Sequence, residues 1–122
     1  MKAERFLDTN ILLYGYDLDA PDKRTLALSL IEHGWTRPGS TAVSVQVLQE
    51  FFVNFVRTGH SHKAAATLVG DFTTWPVVDV DLALLRIGLL TQKRWQLSLW
   101  DAMIIAAAQA SGATELLTED LN

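Results

Sequence analysis

The chain contains no cysteine. Disulfides and thiolate metal sites are therefore excluded, and a cytoplasmic setting is expected. No apolar run comes near the roughly 18 residues of a membrane span; the longest is "AMIIAAA". No basic segment followed by an apolar stretch and a cleavage site opens the sequence, so no export signal is expected. Repeats, low-complexity tracts, linkers and long runs of one charge are also missing. Basic residues are in deficit, 10 Lys and Arg against 14 Asp and Glu for a formal charge of −4, which argues against a protein that grips nucleic acid mainly through a basic surface. Chemistry on nucleic acid stays open, because clustered carboxylates reverse the local sign once they hold divalent cations. A basic protein partner would suit the same charge.

What is present is a chain of 122 residues, 49% of them hydrophobic, which suffices for one domain with a sizeable core. "RFLD" reads as a short buried strand over residues 4–8, followed by a helical start at Ile11. "DLDAPDK" over residues 17–23 reads as a loop. "RTLALSLIEHGW" is ambiguous, since Leu26, Leu28 and Leu30 alternate like a strand, but its length and the Ala27/Leu30/Ile31 spacing favour helix. After the turn signal "RPGS", "TAVSV" is a second strand, and from Ser44 the recurrence of Leu48, Phe51, Phe52 and Phe55 predicts a helix. Ala65, Leu68, Val69 and Phe72 repeat that spacing. "PVVDV" is a third strand, "DLALLRIGLLTQKRW" a helix capped by Asp79 or Asp81, "SLWDAMIIAAAQASG" a helix ending at Gly112, and "TELLT" a fourth strand. Short apolar strands alternating with helices make a parallel sheet covered on both faces. Sites in such sheets form outside the C-terminal strand ends.

Four acids fall near those ends, and each has an ordinary explanation. Asp8 could cap the helix at Ile11, as could Asn10. Glu50 points away from the Leu48/Phe51/Phe55 stripe and alone reads as a solvated helix residue. Asp101 precedes a helix apolar on every face, where an unpaired carboxylate would be costly; yet Ser98-Leu-Trp-Asp101 also matches a capping box. Glu119 and Asp120 after a strand are ordinary loop residues. Asp17, Asp19, Asp22, Asp71, Asp79 and Asp81 lie mostly in loops or at helix starts, and "DLDAPD" lacks the Gly and the final Glu of a calcium loop. Together, Asp8, Glu50 and Asp120 come from three strand ends and could converge, with Asp101 joining if its helix starts at that edge. Like charges about 4 Å apart repel by about 4 kcal/mol at an effective dielectric of 20. Such a cluster persists when protonated or when cations sit among the oxygens, and hard oxygen donors suit Mg²⁺ or Mn²⁺.

"FLDTNILLY", "SVQVLQEFF", "LSLWDAMIIAAA" and "LLTEDL" resemble, in order and spacing, the four acidic motifs of PIN-domain ribonucleases, and most closely the VapC-type toxins of bacterial toxin–antitoxin pairs. The resemblance covers essentially the whole chain, taken as a single domain over residues 1–122. It implies a three-layer α/β/α fold around a short parallel sheet of four strands, or five where a last edge strand follows. Family members usually continue past the "TEDL" segment into that strand, whereas the sequence stops at Asn122, so either it is truncated there or that strand is absent. The resemblance also implies that Asp8, Glu50, Asp101 and Asp120 are metal-binding and catalytic acids, with Thr9, Asn10, Ser44, Thr118 and Glu119 in support; Glu119 and Asp120 compete for the fourth position. The implied activity is Mg²⁺- or Mn²⁺-dependent hydrolysis of RNA phosphodiester bonds by in-line attack of water. Implied partners are an RNA substrate, an antitoxin protein and a second copy of the chain, with no membrane. Trp35, Phe51, Phe52 and Phe55 add a residue-level argument for the homodimer, as aromatics beyond what a small core needs. His33, His60 and His62 fall outside the motifs and read as surface or helix-end residues.

Haloacid-dehalogenase-type phosphatases need a second Asp two residues after the first, where this chain has Asn10. A receiver domain would want a Lys after a late strand, and none is visible. The non-enzymatic rival is a catalytically inactive PIN-like module that binds protein or RNA; metal-dependent cleavage separates the two.

Overall fold

The computed structural model describes residues 2–119. Four short strands, β1 (Arg5–Leu7), β2 (Thr41–Ser44), β3 (Val77–Val78) and β4 (Glu115–Leu117), form one sheet in the order β3-β2-β1-β4. All pairings are parallel, with Phe6 opposite Ala42 on one side and Leu116 on the other. Six helices join them: α1 (Thr9–Tyr14), α2 (Pro21–Thr36), α3 (Val45–Arg57), α4 (His62–Phe72), α5 (Leu82–Trp95) and α6 (Leu99–Ala110).

The strand order fixes where the helices lie. Steps β1→β2→β3 move one way across the sheet, and β3→β4 returns past β1 to the opposite edge. Right-handed crossovers then put α1 to α4 on one face and α5 and α6 on the other. The packing agrees, since α1 touches α2 and α3, α3 touches α4, and α5 lies along α6. This is the expected three-layer α/β/α arrangement, with four strands among the described residues.

Helix starts follow side-chain chemistry. Ser44, Ser61, Asp81 and Ser98 each accept a hydrogen bond from a backbone amide of the first turn of α3, α4, α5 and α6. Asp81, not Asp79, is the α5 cap. Pro21 opens α2 inside the segment expected to be loop, because proline's missing N–H is harmless in a first turn. The alternating leucines of that segment are helical. Ala27, Ile31 and Gly34 turn inward while Leu26 stays exposed. Gly34 leaves the space that the Trp75 ring fills, where a Cβ would come within 2.6 Å of it. The last helix ends at Ala110, two residues before Gly112, which takes a positive φ of 76°.

The four aromatics Trp35, Phe51, Phe52 and Phe55 divide between core and surface. Phe51 and Phe55 are buried and stack at 5.1 Å, and Trp35 stacks on Phe72 at 5.6 Å. Phe52 is half-buried against His62. A core built between α3, α4 and the sheet takes up Phe51 and Phe55, while Trp35 on α2 remains 42% exposed. Among the described residues no helix is long and apolar enough to cross a membrane.

Candidate active site: an acidic cavity at the sheet's C-terminal edge

Asp8 immediately follows β1, and its position is set twice over. Its backbone N–H donates to Leu117 O at 3.1 Å, continuing the β1–β4 ladder by one step. Its side chain N-caps α1, with Oδ1 accepting from Thr9 N at 2.7 Å. The same ladder brings Thr118 alongside, and its hydroxyl donates to Asp8 Oδ2 at 2.7 Å. Both readings of Asp8 are therefore compatible: it is a cap, and it is a buried acid only 6% exposed.

Glu50 comes from the opposite wall. It lies in the second turn of α3, four residues after buried Gln46 and on the same face of the helix. Thr9 Oγ1 donates to Glu50 Oε2 at 2.9 Å, and Gln46 Nε2 donates to Oε1 at 3.1 Å. Gln46 is itself buried and also donates to the Trp100 carbonyl at 3.3 Å, which ties α3 to the first turn of α6. Asp101 occupies the third position of α6, where its N–H donates to Ser98 Oγ at 3.1 Å. Ser98 thus provides the cap through its own hydroxyl. Asp101's carboxylate is a separate matter, and it faces the cavity.

Asp8, Glu50 and Asp101, from β1, α3 and α6, line one cavity of about 230 Å³ with Asn10, Asn54 and Trp100 among its walls. The electrostatics follow. Burial pushes the Asp8 carboxyl above its ordinary value of 3.8, and the nearby Glu50 and Asp101 charges push it further the same way. Hydrogen bonds from Thr118 and Thr9 oppose the shift without cancelling it.

The remaining candidates divide. Thr9 and Thr118 bond directly to the acids, and Asn10 lines the cavity. Ser44 is fully buried and caps α3 through Val47 N, so it supports Glu50 only through the helix it starts. Glu119 is turned outward, accepting from Tyr14 Oη at 2.8 Å and Lys23 Nζ at 3.2 Å. Asp120 lies outside the described residues. Three residues that sequence reasoning passed over belong to the site: Gln46, Asn54 and Trp100. Gln46 and Asn54 stand four residues either side of Glu50, a helical spacing that could have found them. The six other aspartates, Asp17, Asp19, Asp22, Asp71, Asp79 and Asp81, stay out of this cavity. Asp17 and Asp19 edge a different hollow of about 590 Å³ beside Tyr14, Tyr16 and His60.

Donor chemistry at the cavity fits a hard divalent cation, because its titratable donors are carboxylate oxygens, with no imidazole or thiolate among the described residues that line it. A desolvated acid facing two like charges is also what a cation would relieve. Among the described residues, no three Asp, Glu or His side chains are drawn close enough to share one ion as they stand. Both Glu50 oxygens are engaged by Thr9 and Gln46.

A family profile described as "PIN domain" matches residues 5–122. No curated protein matches the chain at a significant level. Among solved structures, a toxin–antitoxin complex from Klebsiella pneumoniae superposes with a TM-score of 0.70 at 23% identity, covering 96% of this chain and 87% of that one. Mycobacterium tuberculosis VapC20, a sarcin–ricin-loop-cleaving toxin, gives 0.67 at 23% identity, covering 96% and 92%. VapBC2 from Rickettsia felis, bound to a DNA fragment from its promoter, gives 0.66 at 18% identity, covering 97% and 88%. Likeness at these identities establishes the shared fold.

Proposed function

The chain belongs to the PIN domain family, and from that premise we propose that it is a Mg²⁺- or Mn²⁺-dependent endoribonuclease acting as the toxin of a toxin–antitoxin pair. The observation that carries this reading is the delivery of Asp8, Glu50 and Asp101 from three separate elements into one cavity at the strand ends. The toxin role is supported by the neighbours' being VapC and VapBC proteins.

Asp8, Glu50 and Asp101 would hold the cation, with Asp120 as the fourth acid on the strength of its motif. When bound, the cation supplies Lewis acidity, making water a better nucleophile and neutralising charge on the phosphodiester. The chain's own residues do the rest. Thr118 and the Thr9 amide fix the Asp8 carboxylate, and Thr9 and Gln46 fix Glu50. The cavity walls keep bulk water from the buried face of Asp8, so its charge is available to a cation and not screened. Asn10 and Asn54 line the cavity with neutral amides, and Asn54 Nδ2 donates to the Glu50 carbonyl at 2.8 Å.

Purified protein should cleave RNA with Mg²⁺ or Mn²⁺ and stop when EDTA is added. Cleavage that persists in chelator defeats the proposal. A second reading, an inactive RNA- or protein-binding module, draws on the engaged Glu50 oxygens and the open spacing of the three acids; it predicts binding without metal-dependent cleavage. The antitoxin is sought in a small reading frame preceding or overlapping this one, whose product should co-purify and suppress cleavage. The second copy is tested by sedimentation at high micromolar concentration.

A further inference from the structure

The acidic cavity does not end at Asp101. It opens into a second cleft of about 480 Å³, and Gln46, Glu50, Asn54 and Trp100 line both. In this outer cleft Arg57 and Gln49 join them, so acidic character gives way to a cation and neutral amides. The change has a simple origin in α3. Residues 46, 50, 54 and 57 recur at helical spacing, so one polar stripe runs along the helix from the cavity floor to its last turn. At about 1.5 Å per residue, Arg57 lies roughly 10 Å along the axis from Glu50.

Facing that stripe is Trp100, 66% exposed and one residue before Asp101. Gln46 holds its carbonyl, so the backbone that carries Asp101 into the cavity also carries the indole to the cleft. Arg57 forms no ion pair among the described residues, whereas Arg5, Lys23 and Arg37 do. Val53 adds an exposed apolar patch beside the ring. A planar aromatic face, an uncommitted guanidinium and neutral amides, continuous with a phosphodiester-cleaving centre, match a segment of single-stranded RNA. Trp and Arg are also enriched at protein interfaces; the continuity of this cleft with the acidic cavity, through Gln46, Glu50, Asn54 and Trp100, is what favours the RNA strand.

We propose that this cleft holds the RNA strand adjoining the scissile phosphate, with a nucleobase stacked on Trp100 and a neighbouring phosphate paired with Arg57. Both are positioning residues. The inference names the substrate-binding track of the proposed ribonuclease site and rests on that reading for the kinetic half of its test.

Two measurements decide it. The first is anisotropy of a fluorescein-labelled ten-nucleotide single-stranded RNA, titrated in EDTA so that cleavage is arrested. Trp100→Ala should weaken binding about tenfold, and Trp100→Phe should recover most of it. Arg57→Gln should weaken binding and lower the slope of log affinity against log salt by about 0.7, the share of one phosphate contact on a single strand. The second is steady-state cleavage, where Trp100→Ala should raise KM about tenfold and leave kcat nearly unchanged. Trp95 and Arg94, another exposed tryptophan–arginine pair at 4.9 Å but outside the cleft, serve as controls; Trp95→Ala and Arg94→Gln should change neither measurement. Since Trp100 and Arg57 are exposed, melting temperatures should match the native protein's. Cleavage with unaltered KM in both cleft variants overturns the inference and leaves the ribonuclease reading intact. Trp100-dependent binding without any cleavage does the reverse. Equal weakening by the control pair, or a Trp100→Ala variant that only converts a dimer to a monomer with RNA affinity unchanged, also overturns it.

Discussion

Two carboxylates stand just past the ends of neighbouring parallel strands and meet opposite fates. Asp8 follows β1 into a buried position on a cavity shared with Glu50 and Asp101, and its pKa is raised, first by burial. Glu119 follows β4 by two residues, turns outward to Tyr14 and Lys23, and has its pKa lowered by their hydrogen bonds and by the Lys23 charge. The same sheet edge therefore carries one acid that is costly to ionise and one that ionises easily. Proximity to a strand end does not make an acid reactive. Desolvation beside like charges sets a carboxylate up for a cation, while an exposed ion pair satisfies one that needs none.

The largest expected effect separates the two in activity. Asp8→Asn should reduce cleavage by more than the roughly 10–100-fold typical of losing an outer partner of a metal ligand. Glu119→Gln should retain activity within a few-fold. If Glu119→Gln instead abolishes cleavage while Asp8→Asn is active, the assignment of the buried acid is wrong.

Next comes the response to metal. Mg²⁺ or Mn²⁺ at about 100 times its Kd should stabilise the native protein by about 2.7 kcal/mol, read as a rise in melting temperature. Asp8→Asn and Asp101→Asn should lose most of that rise, and Glu119→Gln should keep it. Calorimetric scans with and without EDTA test this; an unchanged rise in Asp101→Asn would remove that residue from the cation site.

Denaturation without metal sharpens the distinction within the first turn of α6. Ser98→Ala removes the hydroxyl that caps Asp101 N and should cost about 0.5–2 kcal/mol. Asp101→Asn should leave stability equal or higher, since a charge that repels Asp8 is gone. A loss in Asp101→Asn as large as in Ser98→Ala would make its carboxylate structural.

A smaller effect appears in pH. Asp8 in the folded chain holds its proton above the unfolded value of 3.8. Between those two values the native state binds more protons than the unfolded state, so stability is fullest below 3.8 and declines as pH rises towards the folded value. In EDTA, urea melts of the native protein should show that decline, and Asp8→Asn should flatten it. Glu119 has the opposite sign, its contribution being lost as pH falls through its lowered value. Because that pair is exposed, Glu119→Gln should barely move the melting temperature.

Much of the fold was legible from the chain alone. The β-branched "TAVSV" and the apolar "RFL" announced strands that are buried nearly throughout, the Leu48/Phe51/Phe55 spacing marked α3, and capping side chains marked the starts of α5 and α6. Ala27 and Ile31 revealed that α2 is helical despite its alternating leucines. These are local signals: periodicity and hydrogen-bonding chemistry act over a few residues, so a linear reading captures them. The four acidic motifs likewise supplied the family.

Other features depended on tertiary packing. Periodicity placed Phe51 and Phe55 on one face of α3, but only the packing of α4 against it assigned that face to the core. Glu119 could be told from a cavity acid only once Tyr14 and Lys23, distant in sequence, were seen beside it. Gln46 became a site residue by bonding to Glu50 and to Trp100, 54 positions further on. The sequence determined which residues could be acids, caps and core. The order β3-β2-β1-β4 decided which of them meet, because in a parallel sheet every strand end reaches the same edge and side chains far apart in the chain share one desolvated space there.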